Sequence, residues 1–369
     1  MKALLTIIRW LVGLLFIFSG LVKANDPLGL SYKMQEFFEA WGWMQFHDYT
    51  LAISVLMNAF EIIAGVALIV GWRMKLFSWL LLLLIVFFTF LTGYASLAQN
   101  PDGSPKFASC GCFGDCIPLD PEQSFYKDII LLVLILVIFI FRNKIKPAFS
   151  SGSFNFIVII AAVFFSFGFQ IYTYRNLPVV DCLPFKKGNH LLEQRKVPAD
   201  AVLPKYELKF IYEKNGEKKE FDVSNLPDST WKFADRKQVL ISKGKNYEPK
   251  IKDFELKTIA GVDSTDAILS QASEYYFLFI KNFEGMRKTE SWRTQILELA
   301  KTKRIWIVTG QGDVAAEFFK DVPGIPVSQI LVCDVTAIKT AARAIPTLYK
   351  MKGDEVLNKW SWANFSKVD

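Results

Sequence analysis

Charge is scarce in the first half of this chain, and histidine is scarce throughout. Asp, Glu, Lys and Arg make up 21% of the 369 residues, and they become frequent only after about Tyr172. A water-soluble domain needs a polar outer face, so the first half does not read as one. The two histidines are His47 and His190, and none lies in the long apolar runs, which excludes haem ligation there by histidine. His47 stands beside Trp43 and Phe46, where interfacial packing is a plainer reading than a metal ligand. No block of Lys and Arg reaches the density of a nucleic-acid surface despite a net charge of +7, so no nucleic-acid partner is expected. No Cys-x-x-Cys occurs among the five cysteines.

What is present is apolar length. The composition is 52% hydrophobic and 15% aromatic, with a mean hydropathy of +0.25. About 20 apolar residues cross a bilayer as a helix. Five runs approach or reach that length: Ala3–Val22, Leu51–Gly71, Leu76–Ala98, Phe125–Phe141 and Phe154–Tyr172. Lys2–Ala24 also has the outline of a signal peptide, but four further runs follow it. Trp10, Trp41, Trp43, Trp72 and Trp79 fall near span ends or in the first outer loop, as interfacial anchors do.

Orientation follows from the short loops. Arg73 and Lys75 occupy the 2–3 connector without an acid, as do Arg142, Lys144 and Lys146 in the 4–5 connector. Lysine- and arginine-bearing turns stay cytoplasmic. The expectation is a bacterial inner-membrane protein with five transmembrane helices, a cytoplasmic N-terminus and a periplasmic C-terminal domain. The expected divisions are a four-helix bundle over 1–146, a fifth helix over 147–175, a linker with a small β-rich region over 176–248, and a soluble domain over 249–369.

Two features within this frame carry chemistry. Arg9, Lys23 and Glu61 are charges in or at the end of spans, where charge is costly and faces a partner or a wet cavity. Arg9 can also snorkel to the interface, whereas Glu61 sits mid-span. Four cysteines, Cys110, Cys112, Cys116 and Cys182, fall on the side assigned to the oxidising compartment, where clustered cysteines tend to form disulfides. A thiolate attacks a disulfide through a mixed intermediate, so a relay needs several sulfurs within reach. Four cysteines allow three pairings, and the spacing does not choose among them. A purely structural disulfide and a metal site are the competing readings, although the spacing lacks the two-residue gap of zinc knuckles. Cys333 reads as a small buried apolar side chain.

The residues Phe18-Ser19-Gly20-Leu21-Val22-Lys23, then Asp26-Pro27 and Gly29, resemble the end of the first span in the DoxX-like membrane proteins. Asn58-Ala59-Phe60-Glu61 with Gly65 and Gly71-Trp72 resembles their second span. Cys110-Gly111-Cys112-Phe113-Gly114 is similar to the signature of the MauE branch, which is implicated in maturing the disulfide-rich subunit of methylamine dehydrogenase. The resemblance covers about Met1–Arg142 and implies a role linked to disulfide chemistry. The fifth span and long outer tail depart from short family members and resemble a fused, Bacteroidota-type form. By analogy alone, the layout is similar to vitamin K epoxide reductase homologues, which join a helical bundle to a thioredoxin-like domain.

The second half opens with Pro178, Pro184, Pro198 and Pro204, which read as a linker. Tyr206–Glu213 and Glu217–Val223 flank Asn215-Gly216, a strong hairpin signal. Val239–Ser242 and Phe254–Thr258 read as further strands. Strands at Tyr275–Lys281, Arg304–Thr309 and Gln329–Cys333 then alternate with helices at Ser291–Lys301, Asp313–Phe319 and Thr336–Ala342. Ala344–Met351 reads as a strand turning at Lys352–Glu355, and an amphipathic stretch with Trp360, Trp362 and Phe365 closes the chain. Alternation implies an α/β sheet. The order resembles a thioredoxin-like domain over about Lys250–Phe365, with a peroxiredoxin-like lead-in at Lys252–Leu256. That resemblance implies a cis-proline turn at Pro346 and a Cys-x-x-Cys near Asn282–Glu290, where no cysteine stands. The domain is therefore expected to bind or position rather than exchange thiols.

The fold class expected is thus an α-helical membrane bundle, a four-helix DoxX-like core plus a fifth transmembrane helix, followed by a soluble α/β thioredoxin-like domain with a β-rich lead-in. The leading functional expectation is an envelope factor for thiol–disulfide chemistry, with Cys110, Cys112, Cys116 and Cys182 as redox candidates. Its partners would be the lipid bilayer and an envelope client, or a partner in a membrane complex. Its electrons would pass to or from a membrane quinone near Glu61, although no residue pattern demonstrates quinone binding, and no metal is expected. The rival is a non-enzymatic scaffold subunit with structural disulfides. A quinol-oxidase accessory role lacks support without span histidines.

Overall fold

The computed structural model describes residues 2–100, 104–242, 244–284 and 290–368. Five of its helices are long and apolar enough to cross a membrane: α1 (Lys2–Ala24), α3 (Thr50–Val70), α4 (Met74–Leu97), α5 (Pro121–Ile140) and α6 (Gly152–Asn176). Helix α2 (Pro27–Ala40) lies between the first two. Several of the five outrun the apolar stretches that announce them, because backbone hydrogen bonds continue into polar flanks. Helix α5 begins at Pro121, where proline's missing N–H costs nothing. Helix α3 ends at Gly71 with φ +74°, a left-handed turn that glycine adopts without strain.

Val12, Leu68, Leu81 and Ile135 form part of the bundle's interior, while Leu4, Ile7, Leu83 and Phe164 point outward. Lipid is as apolar as leucine, so close backbone packing rather than the hydrophobic effect holds such helices together. The α1–α3 crossing shows this. A Cβ at Gly65 would stand 2.6 Å from the Gly13 carbonyl oxygen. Gly65→Ala is therefore expected to push α1 off α3 and to lower bundle stability by ~1–3 kcal/mol, measurable by thermal unfolding in detergent. An unchanged midpoint would mean that the two helices are looser than this contact requires.

Helix α2 corrects the reading of the stretch between the first two spans as an outer loop. Asp26 caps it by accepting from the Gly29 N–H at 3.1 Å, and Pro27 follows at the first helical position. Its Leu28, Leu30, Tyr32, Met34 and Phe37 are buried. A helix lying against a bundle needs only one apolar face, so its charged residues hid it from a search for apolar runs.

The two ends of the bundle are distinct. The basic connectors share one end, where Ala148 N–H donates to the Val70 carbonyl at 2.7 Å and Arg9 donates to the Lys146 carbonyl at 3.0 Å. The cysteine loop and the chain leaving α6 share the other, joined by a disulfide between Cys116 and Cys182. There the Asn25 side-chain amide also donates to the Val180 carbonyl at 2.8 Å.

Beyond α6 the chain is not a loose linker. Phe185 and Leu191 are buried in the core of the C-terminal sheet, and Leu191 N–H donates to the Asp354 carbonyl at 2.8 Å. Prolines marked irregular backbone here, and burial of the apolar residues between them ties it down. Within it, Leu191–Gln194 form the short helix α7.

A three-stranded antiparallel sheet follows, ordered β2-β1-β3, from β1 (Lys205–Lys214), β2 (Glu217–Asp222) and β3 (Lys232–Ser242). Asn215 and Gly216 turn the hairpin with φ +54° and +83°. Strand β3 is longer than Val239–Ser242 because its first half, Lys232–Lys237, is mostly polar and still pairs with β1.

The last unit is a six-stranded sheet ordered β4-β7-β6-β5-β8-β9. Its members are β4 (Lys257–Thr258), β5 (Glu274–Ile280), β6 (Ile305–Thr309), β7 (Ile330–Val332), β8 (Thr347–Lys352) and β9 (Glu355–Ser361). Strands β5, β6 and β7 run parallel, and the others pair antiparallel. Tyr275, Phe277 and Phe279 face one core; Tyr276, Leu278 and Ile280 face the other. A central strand covered on both faces reads as an unbroken apolar run for this reason. Helices α9 (Glu290–Ala300) and α10 (Gly312–Phe319) cover one side. On the other side lie α8 (Thr265–Leu269) and α11 (Val335–Ala341). Phe254 is buried but not in a strand, since β4 is only two residues long. Trp360 belongs to β9, while Trp362 and Phe365 lie in a closing 3-10 turn, Trp362–Lys367. Residues 285–289, within the segment expected to bear a Cys-x-x-Cys, lie outside the described residues.

Candidate redox site at the cysteine-bearing end of the bundle

The segment between α4 and α5 folds back over the end of the bundle. Gly111 adopts φ +68° between the two cysteines and packs on Lys33 of α2. Cys110 is buried with Phe37, Ala95 and Phe107, and Cys112 is packed partly against the same group. Of the open pairings, the structure has one, Cys116–Cys182. Cys110 and Cys112 are free thiols, as is the buried Cys333 in the C-terminal sheet.

The two free thiols of the loop line one cleft of about 510 Å³, its open mouth included. Its apolar walls include Met34 and Phe37 of α2, Met57 of α3, and Phe88 and Leu91 of α4, and Lys23, Lys33 and Lys127 also line it. A second cavity of about 320 Å³ shares Ser19, Phe88 and Lys127 with it and reaches Glu61 and Asp128. The thiols therefore adjoin a buried polar tract running down into the bundle.

That tract is built of two ion pairs. Lys23 of α1 and Glu61 of α3 pair directly, both essentially without solvent. Ser19, one helical turn before Lys23, has its hydroxyl 2.9 Å from Glu61 Oε2 and 3.1 Å from the Cys112 carbonyl oxygen. The second pair is Lys127 with Asp128 at 2.8 Å, and Thr92 donates to the same carboxylate at 3.0 Å. Each carboxylate is thus doubly held, as a charge in low dielectric must be.

Burial pushes the Cys110 thiol up to about 12, helped by Cys112 and Asp128 and opposed by Lys127 and Lys33. Burial likewise raises Cys112, while Lys127 and Lys23 pull it down. At neutral pH both stand as protonated thiols, the weakly nucleophilic form.

Of the residues singled out from sequence, Lys23, Glu61, Cys110 and Cys112 come together, with Cys116 bound to Cys182 on the same loop. Arg9 is not among them, since its guanidinium reaches Lys146 at the opposite end. Pro346 lies in the C-terminal domain, where the Ile345–Pro346 bond is cis. His47 Nε2 lies 3.8 Å from Glu39, and among the described residues no cluster of three metal-ligating side chains occurs. Sequence reasoning gave no role to Ser19, Thr92, Lys127 or Asp128. The signal available was a carboxylate within a span at Asp128, and a hydroxyl one turn from Lys23.

The apolar helices and the charge-paired interior define a polytopic membrane protein. More particularly, residues 1–141 match the family described as methylamine utilisation protein MauE. Residues 206–243, which include the three-stranded sheet from Tyr206 onward, match a domain of unknown function, DUF8463. No curated protein and no solved structure matches the chain.

Proposed function

We propose that this protein is a membrane thiol–disulfide redox factor for cell-envelope proteins, with Cys110 and Cys112 as its working pair. The observation that carries this reading is the split of the four cysteines. One pair is closed as Cys116–Cys182, and the other two are free and line an apolar cleft beside three lysines, of which Lys23 is buried. An inner-membrane placement with the cysteines in the periplasm is supported by the basic connectors gathered at the far end of the bundle. The sheet order supports reading residues 249–369 as a thioredoxin-like domain without its Cys-x-x-Cys.

In the oxidising direction, a client dithiol reduces a Cys110–Cys112 disulfide and leaves with its own disulfide. Two electrons and two protons then pass from the dithiol to an acceptor. A membrane quinone would supply a two-electron, two-proton acceptor, and the apolar walls of the cleft support that class of acceptor. Half-buried Met57, Phe88 and Leu91 on spanning helices offer an apolar wall to a lipid-soluble ring. Lys23 and Lys127 offer positive charge beside the sulfurs, and each is ion-paired, Lys23 with Glu61 and Lys127 with Asp128.

In membranes, Cys112→Ser is expected to trap mixed disulfides between Cys110 and envelope proteins, seen as reducible high-mass bands and identified by mass spectrometry. The second reading, a non-enzymatic accessory subunit, is favoured by the raised Cys110 thiol. It is the one to adopt if no adduct forms and client thiols stay unchanged when both cysteines are removed.

A further inference from the structure

The C-terminal domain is seated on the cysteine-bearing end of the bundle through buried charges. Arg343, which follows α11 and stands three residues before the cis-proline, is almost fully enclosed. Its Nε donates to Asp26 Oδ2 at 2.7 Å, its Nη2 to Asp115 Oδ2 at 2.6 Å, and its Nη1 to the Lys339 carbonyl at 2.6 Å. The guanidinium also lies 5.3 Å from the centre of the Tyr32 ring. Burial would lower its pKa, but Asp26 and Asp115 overcome that and hold it above the ordinary arginine range. Nearby, Lys359 of β9 is ion-paired with Asp181.

The positions of these acids matter. Asp115 immediately precedes Cys116, Asp181 immediately precedes Cys182, and those cysteines are bonded with their Cα atoms 4.9 Å apart. One disulfide thereby brings together two carboxylates from segments 66 residues apart. Each carboxylate takes one cation from the C-terminal domain. An arginine satisfied by two carboxylates at once tolerates little displacement of either.

We infer that the Cys116–Cys182 disulfide organises a docking platform for the chain's own C-terminal domain, and that its redox state sets whether the domain is seated. Reduction by a protein or small-molecule dithiol breaks the sulfur–sulfur bond, yields two thiols, and leaves the dithiol as a disulfide. Asp115 and Asp181 are then free to separate, so Arg343 keeps Asp26 but loses a fixed second carboxylate, and Lys359 loses the fixed position of Asp181. With the disulfide closed, the face bearing Arg343 is turned to the bundle, so an incoming protein must use another surface. The dock stands whether or not Cys110 and Cys112 turn over.

The test is hydrogen exchange on the full chain in lipid nanodiscs, in a Cys110→Ser/Cys112→Ser background. Phosphine reduction of Cys116–Cys182, verified by mass, is expected to speed amide exchange across 335–347 and 355–361 by about tenfold or more. Asp115→Asn/Asp181→Asn with the disulfide intact should do the same. Amides of β5, in the centre of the sheet, should keep their protection in both cases. Unchanged exchange after verified reduction overturns the proposal. So does loss of β5 protection, since the disulfide would then support folding of the domain rather than its seating.

Discussion

Lys23→Met with Glu61 left in place is expected to destabilise the helical bundle by ~3–5 kcal/mol, the cost of an uncompensated buried charge. Both partners lie in the interior, and each is the other's main compensation. Ser19 contributes one further contact to Glu61, which is too little to replace an ammonium group. The double variant Lys23→Met/Glu61→Gln should recover most of the loss, because a neutral pair carries no comparable desolvation penalty. Reversible unfolding in mixed micelles or bicelles measures both. A neutral single variant would mean that Lys23 is not what compensates Glu61, and the ionic account of the tract would fail. Under the redox reading the double variant should be folded yet impaired in turnover, which separates packing from chemistry.

The second large effect concerns Cys110. Its thiol is pushed up to about 12 by burial, against an ordinary value of ~8.5. At pH 8 a free thiol is about one-quarter thiolate, whereas one at 12 is ionised to about one part in ten thousand. Alkylation of Cys110 in the folded protein should therefore run on the order of a thousandfold slower than in the unfolded chain. The sign is definite: a raised thiol reacts faster as pH rises, by about tenfold per unit between pH 7 and 9.5. Iodoacetamide labelling followed by mass spectrometry reads this directly. Rapid labelling at pH 7 would mean that the thiolate is stabilised after all, with Lys127 and Lys33 outweighing burial. A slow thiol also bears on mechanism. The pair would react only when a client or acceptor changes its surroundings, and non-specific oxidation would be suppressed meanwhile.

How far the site was legible depended on which residues advertise themselves. A cysteine triplet at 110, 112 and 116 is conspicuous in any sequence, and a glutamate at 61 in an apolar run is nearly so. Lys127 and Asp128 were less visible, because charges near the start of a span commonly sit at the membrane interface. Only the packing of α4 against α5 puts Asp128 beside Thr92, deep enough to be buried. Helix α2 was missed because an amphipathic helix lying on a bundle has no apolar run of spanning length. Arg343 was invisible for another reason. Its partners are 317 and 228 residues away in the chain, and nothing local distinguishes it from a surface arginine.

Apolar length and charge placement determined, from the sequence by itself, that this is a membrane chain with five candidate spans. The same signals marked a polar second half and a cysteine loop on its side of the bundle, since bilayer thickness imposes a length that composition records directly. The pairing of Cys116 with Cys182, the freedom of Cys110 and Cys112, the Lys23–Glu61 contact and the seating of the C-terminal domain were decided only in three dimensions. Each is a meeting of residues distant in the chain. Such meetings depend on how helices cross and sheets stack, and those geometries leave no periodic trace in either partner's local sequence.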